Sequence, residues 1–202
     1  MVRPIGCLLT AMLGGFLLTP GLAFAQNKTH ANQGNAAADA SRPSDPTKPG
    51  PEHASLTKRA GEYTRVVKFL GQPGAAGAPF TGTAKFSVVL GGRFLLEEST
   101  DTVFGRPVEG MRLYGYNNVT KQYEMVRMYT MSTGITIMTG TSKDGGKTID
   151  FTGSSDTSAM GKMPLQAQLR QVDDDQLVVT LSTTGPDGKE SAFQETTYTR
   201  KK

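Results

Sequence analysis

The run Lys162-Met163-Pro164-Leu165-Gln166-Ala167-Gln168-Leu169-Arg170 carries the clearest periodicity in the chain. Met163, Leu165, Ala167 and Leu169 alternate with Lys162, Gln166, Gln168 and Arg170. A period of two marks a strand with one face in a core and the other in water. Asp173-Asp174-Asp175 follows as a turn, then Leu177, Val179 and Leu181 alternate in turn. Pro186-Asp187-Gly188 turns the chain again into a last run from Ala192 to Tyr198. Connections this short cannot make a parallel crossover, so consecutive strands must be antiparallel neighbours.

The same pattern extends toward the N-terminus. Tyr63, Val67 and Phe69 share one strand face, and Phe86, Val88 and Leu90 share the next. Gly91-Gly92 suggests a bulge before Phe94 and Leu96. Runs 108–116 and 122–131 flank Asn117-Asn118, a pair that tolerates left-handed backbone. Ile135 and Ile137, then Ile149 and Phe151, flank Lys143-Asp144-Gly145-Gly146, a strong hairpin signal. Ahead of all these, Gly50-Pro51-Glu52 opens a short helix in which Leu56 and Ala60 fall one turn apart, with Gly61 ending it. About ten strands joined by hairpins form a twisted meander, and such a sheet curls until closure removes its edges. The expected fold is all-β: an antiparallel up-and-down β-barrel with a short N-terminal capping helix. A sandwich is the alternative.

Residues 1–25 read as an export signal. Arg3 precedes an apolar run from Ile5 to Leu18, Thr19-Pro20-Gly21 breaks it, and Ala23-Phe24-Ala25 supplies a small-x-small cleavage pattern. The run is short for a membrane span and no basic stop-transfer cluster follows, so no stable span is expected once the signal is cleaved. A periplasmic or secreted location follows. Cys7, the single cysteine, leaves with the signal, so the exported protein has no disulfide and must be held by its core. Residues 26–50 have no large hydrophobe and read as a disordered linker. The domain spans 51–202, long enough for one sizeable core.

A formal charge of +4 among 202 residues is too weak a bias to indicate nucleic acid. Two histidines and one cysteine exclude a zinc-finger array and a Cys-His nucleophilic site. Asp173-Asp174-Asp175 lacks the spaced ligands of a calcium loop and reads as a solvated turn. His53 beside Glu52 has no second histidine to complete a site and reads as an exposed helix-start residue. No cofactor or metal is expected, and no catalytic constellation is visible. Asn27-Lys28-Thr29 and Asn118-Val119-Thr120 match the glycosylation pattern, which chance also produces.

Glu52-His53-Ala54-Ser55-Leu56, Gly61-Glu62-Tyr63, Val89-Leu90-Gly91-Gly92-Arg93-Phe94-Leu95, Gly110-Met111-Arg112-Leu113-Tyr114-Gly115-Tyr116-Asn117-Asn118 and Met131-Ser132-Thr133-Gly134 resemble domain-of-unknown-function family 1579. So does the closing Tyr198-Thr199-Arg200. The resemblance covers 51–202. It implies a calycin-like barrel akin to lipocalins and fatty-acid-binding proteins, with no established activity. Relatives usually place Trp where Tyr63 stands, and commonly Asp at the position of Asn117. The lipocalin analogy further implies that Arg200 lies over Tyr63 as a structural lid on the barrel base.

Two adjacent strands hold the candidate binding residues. Tyr123, Met125, Arg127, Tyr129 and Met131 share one face, and it is the more aromatic, hence the expected inward one. Arg112, Tyr114 and Tyr116 share a face of the preceding strand. A buried guanidinium needs an acid or a ligand anion. Arginines and tyrosine hydroxyls converging in an apolar cavity suit a carboxylate-headed amphiphile. Alternatively Arg127 pairs with Glu97, Glu98 or Glu109, or the faces are reversed. Met111, Met125, Met128, Met131 and Met138 serve either as a pliable lining or as core filler. The expected function is therefore an exported, non-catalytic protein that binds a small hydrophobic or anionic amphipathic molecule. The alternative is a structural or interaction module of the cell envelope with a self-filled barrel. Oligomeric state is not legible.

Overall fold

The computed structural model describes residues 45–70, 79–157 and 161–202, all within the compact unit Pro43–Lys202. The expected signal and the linker through residue 44, with Asn27, lie outside the described residues.

Pro51 begins α1 (Pro51–Thr57), entered from an extended Gly50. The Gly50 amide donates to His53 Nδ1 at 3.0 Å. His53 is therefore buried and caps the helix, contrary to its expected exposure. The helix is shorter than expected. It ends at Thr57 rather than at Gly61, because tertiary partners take over its last carbonyls. Arg59 folds back to donate to Ser55 O at 2.7 Å and reaches Gly146 O across the barrel end. Tyr63 Oη donates to Arg59 O at 2.9 Å. Gly61 instead opens the first strand.

Ten strands follow: β1 (Gly61–Phe69), β2 (Phe80–Val89), β3 (Phe94–Val103), β4 (Arg106–Asn117), β5 (Gln122–Tyr129), β6 (Thr136–Thr141), β7 (Thr148–Thr157), β8 (Gly161–Gln171), β9 (Gln176–Thr184) and β10 (Glu190–Arg200). Each pairs antiparallel with its neighbours in sequence, and β1 also pairs with β10, setting Tyr63 opposite Arg200 and Val67 opposite Thr196. The sheet is thus a closed barrel, and the sandwich alternative falls.

The turns depart from expectation in instructive ways. Gly91-Gly92 is not a bulge: Leu90–Arg93 is a hairpin turn, with Leu90, Gly91 and Gly92 at φ 50°, 65° and 83°. Val89 and Phe94 pair directly across it. Between β4 and β5 the left-handed residue is Lys121, at φ 57°, rather than either asparagine. Asn117 acts through its side chain, whose Oδ1 accepts from the amides of Val119 and Thr120. Asn118 Nδ2 donates to Pro46 O and Lys48 O and so holds residues 45–50 against the barrel. Gly145-Gly146, Asp173–Asp175 and Gly188 form the expected turns. Ile135 and Ile137 point outward, 63% and 65% exposed. Register puts Met138 opposite inward-facing Met125, which leaves Thr136 and Met138 as the inner row of β6.

The barrel interior divides along its axis. At the helix end it is solid: Leu56, Tyr63, Phe86, Ile149, Phe151 and Tyr198 are almost wholly buried. Arg200 lies 4.8 Å from the Tyr63 ring centre and donates to Ala60 O at 2.7 Å, closing the base as a cation–π lid. At the opposite end, where β1 and β3 finish and β2 and β4 begin, the described residues leave a cavity.

Candidate functional site: the open end of the barrel

Alternation sends Arg112, Tyr114 and Tyr116 of β4 inward together with Tyr123, Met125 and Arg127 of β5. The β4–β5 register sets Arg112 opposite Arg127, Tyr114 opposite Met125 and Tyr116 opposite Tyr123. Height along the axis then separates them. Tyr116 and Tyr123 meet edge to face at 4.9 Å beneath α1, where Tyr116 also meets His53 at 5.8 Å. Tyr114 and Met125 are core. Of the eight residues on these two faces, Arg112, Arg127, Tyr129 and Met131 line the open cavity.

That cavity encloses about 350 Å³, within the size range of small-molecule sites. Its rim is apolar. Phe80 stands edge to face with Phe69 at 5.8 Å and with Phe104 at 5.2 Å, and Met131 and Met163 continue the lining. Phe104 sits at the tip of the β3–β4 hairpin with a left-handed φ of 49° and is 88% exposed. Of the five middle methionines, Met111, Met128 and Met131 border the cavity while Met125 and Met138 fill the core. A broader, shallow groove of about 720 Å³ crosses the outer face of β2–β5 over solvated Thr83, Lys85, Glu98 and Thr100.

The floor is ionic. Arg112 Nη1 donates to Glu97 Oε1 at 2.6 Å and lies 2.9 Å from Tyr198 Oη. Tyr198 donates to the same oxygen at 2.7 Å, and Tyr114 donates to Oε2 at 3.1 Å. Arg65 of β1 approaches Glu97 at 3.7 Å and, through Nε, Asp101 at 3.2 Å. The charges thus form a continuous string: Asp101, Arg65, Glu97, Arg112. Gly82 of β2 lies between Arg65 and Asp101 in register, and a Cβ there would collide with Asp101 Oδ1 and Thr100 O. Glycine leaves the space in which that pair meets.

Burial pushes the Glu97 carboxyl upward, but the guanidiniums of Arg112 and Arg65 outweigh it and hold it below the ordinary range. Burial likewise opposes the charge on Arg112, and Glu97 more than restores it. Tyr198 is raised by burial to about 12. Asp101 is raised, chiefly by burial.

Arg127 stands apart. Its guanidinium lies 4.5 Å over the Tyr129 ring, and among the described residues no carboxylate lies within ion-pair distance of it. Burial, with Arg112 beside it, lowers its pKa to about 10. The alternative in which Glu97, Glu98 or Glu109 neutralises Arg127 is not met: Glu97 is taken by Arg112 and Arg65. Sequence reasoning does not single out Arg65, Asp101 or Tyr198, although Arg65 shares its strand face with Tyr63 and Val67. Among the described residues no cluster of three acids, histidines or cysteines could hold a metal ion.

The sequence pattern of the family described as "Protein of unknown function (DUF1579)" matches residues 48–200. No curated protein matches the chain. Among solved structures, Rv2717c from M. tuberculosis is similar at a TM-score of 0.52 and 15% identity, over 77% of this chain and 100% of that one. That likeness bears on the fold. A de novo designed fluorescence-activating β-barrel is similar at a TM-score of 0.41 and 12% identity, over 73% of this chain and 97% of that one.

Proposed function

The chain belongs to this family of proteins of unknown function, and we propose that it binds a small amphipathic molecule, apolar body outward and anionic head inward, in the open end of the barrel. Arg127 is the observation that carries the reading. A half-buried guanidinium with no acid beside it is held at some desolvation cost in an empty protein, and a ligand carboxylate would neutralise it with charge-assisted hydrogen bonds. The phenylalanine and methionine rim suits an apolar tail. The reading contains no catalytic step: Glu97, held ionised by two guanidiniums, is a poor proton acceptor. It includes export, which the pattern of residues 1–25 supports.

Native mass spectrometry of the purified protein, followed by calorimetric titration with decanoate, tests the proposal. Decanoate is expected to bind the wild type, and Arg127→Ala to abolish that binding. A clean ligand-free mass together with no heat from decanoate would favour a self-filled envelope module instead.

A further inference from the structure

Two groups at the cavity floor have unmet bonding capacity, Asp101 at one end of the string of charges and Arg127 just beyond its Arg112 end. Arg127, beside Arg112 across the β4–β5 pair, lacks an anion. Asp101 is 9% exposed. It faces Arg65 Nε at 3.2 Å, yet the contact is too poorly aligned for a hydrogen bond. Among the described residues no donor serves the Asp101 carboxylate, and Arg65 Nε is likewise without an acceptor. Buried carboxylates ordinarily accept several hydrogen bonds, and an acceptor left without one is destabilising. Gly82 makes room for Asp101 itself beside Arg65, since a Cβ there would collide with Asp101 Oδ1 and Thr100 O. Asp101 and Arg127 open onto the same cavity.

We propose that the head of the ligand carries a hydroxyl group as well as its anion, the anion taken by Arg127 and the hydroxyl donated to Asp101, so that the preferred cargo is a hydroxylated amphipathic acid. This rests on the reading of the cavity as a site for an anionic amphiphile and narrows it. A plain acid fills the same apolar space and satisfies Arg127, but it leaves Asp101 without a donor. Sites built to hydrogen-bond a hydroxyl discriminate strongly against analogues that lack it, because the buried partner is then stranded.

The test is a calorimetric comparison of decanoate with its 2-, 3- and 5-hydroxy derivatives on the purified protein. At least one hydroxydecanoate is expected to bind about tenfold or more tightly than decanoate, as one hydrogen bond to a charged group implies. In Asp101→Ala that preference should vanish. Equal affinity for all four acids, or a hydroxyl preference that survives in Asp101→Ala, overturns the inference while leaving the decanoate site intact. Binding of none of them overturns the underlying reading as well. Should Asp101→Ala fail to fold, the comparison among the four acids on the wild type decides the question by itself.

Discussion

Arg112 and Arg127 stand directly opposite one another on β4 and β5, and only Arg112 has an acid. Two like charges on neighbouring inward positions are tolerable because Glu97, on the other side of Arg112, accepts from it at 2.6 Å. Arg112 is thereby a structural ion, while Arg127 keeps its donors for something else.

Glu97 neutralises two guanidiniums at once, so its loss should be severe. Glu97→Gln is expected to destabilise the barrel by about 3–5 kcal/mol, because Arg112 would remain buried without its charge partner. Denaturant unfolding measures this. The acid dependence carries the same sign. With a folded pKa below the ordinary 4.5, ionised Glu97 contributes stability that is complete above that value and is lost as pH falls through the lowered one. Wild type should therefore lose stability in acid more steeply than Glu97→Gln. Parallel acid profiles would mean that Glu97 is not held ionised.

Arg127→Met should behave oppositely in the ligand-free protein. Removing a cation that has no carboxylate relieves a desolvation cost, offset in part by the lost contact with Tyr129. Stability within about 1 kcal/mol of wild type, or above it, is expected, together with loss of decanoate binding. A thermal shift as damaging as that of Glu97→Gln would make Arg127 a structural partner and remove its binding role.

The pH dependence of binding follows from the same residue. An anion binds protonated Arg127, whose pKa burial and Arg112 lower to about 10. Affinity for decanoate should be flat between about pH 7 and 9 and then fall by up to about tenfold per pH unit above the pKa. Titrations across this range check it. A constant affinity through pH 11 would mean that Arg127 stays charged throughout this range.

Leu90 occupies a left-handed backbone at φ 50° while 70% exposed. A leucine there gains nothing from burial and strains the chain, whereas asparagine tolerates the conformation. Leu90→Asn should raise stability by about 1 kcal/mol, read as a higher midpoint in denaturant. A lower midpoint would indicate that the exposed side chain makes a contact in solution.

Much of the site is readable as parity. Arg112 and Arg127 fall inward, on adjacent strands and opposite one another, because alternation and a short turn leave little freedom. The partner of Arg112 is not readable. Glu97 and Glu98 are adjacent acids in sequence, and only the inward setting of Leu95 and Ser99 on either side distinguishes the first. Arg65 is hidden because its neighbours on that face, Tyr63 and Val67, suggest a wholly apolar row. Ile135 and Ile137 mislead in the opposite sense, as apolar residues on an outer face.

By itself the chain determined strand order and antiparallel pairing and, for β1, β4, β5 and β8, which side of the strand turns inward. These depend on local alternation and short turns, which each segment carries without reference to distant ones. The tertiary structure alone decided height along the barrel axis. Inward residues of equal parity became solid floor at Tyr116 and Tyr123 and open cavity at Arg127 and Tyr129. Height follows from the stagger between strands, a sum over all ten pairings and their closure that no single segment records.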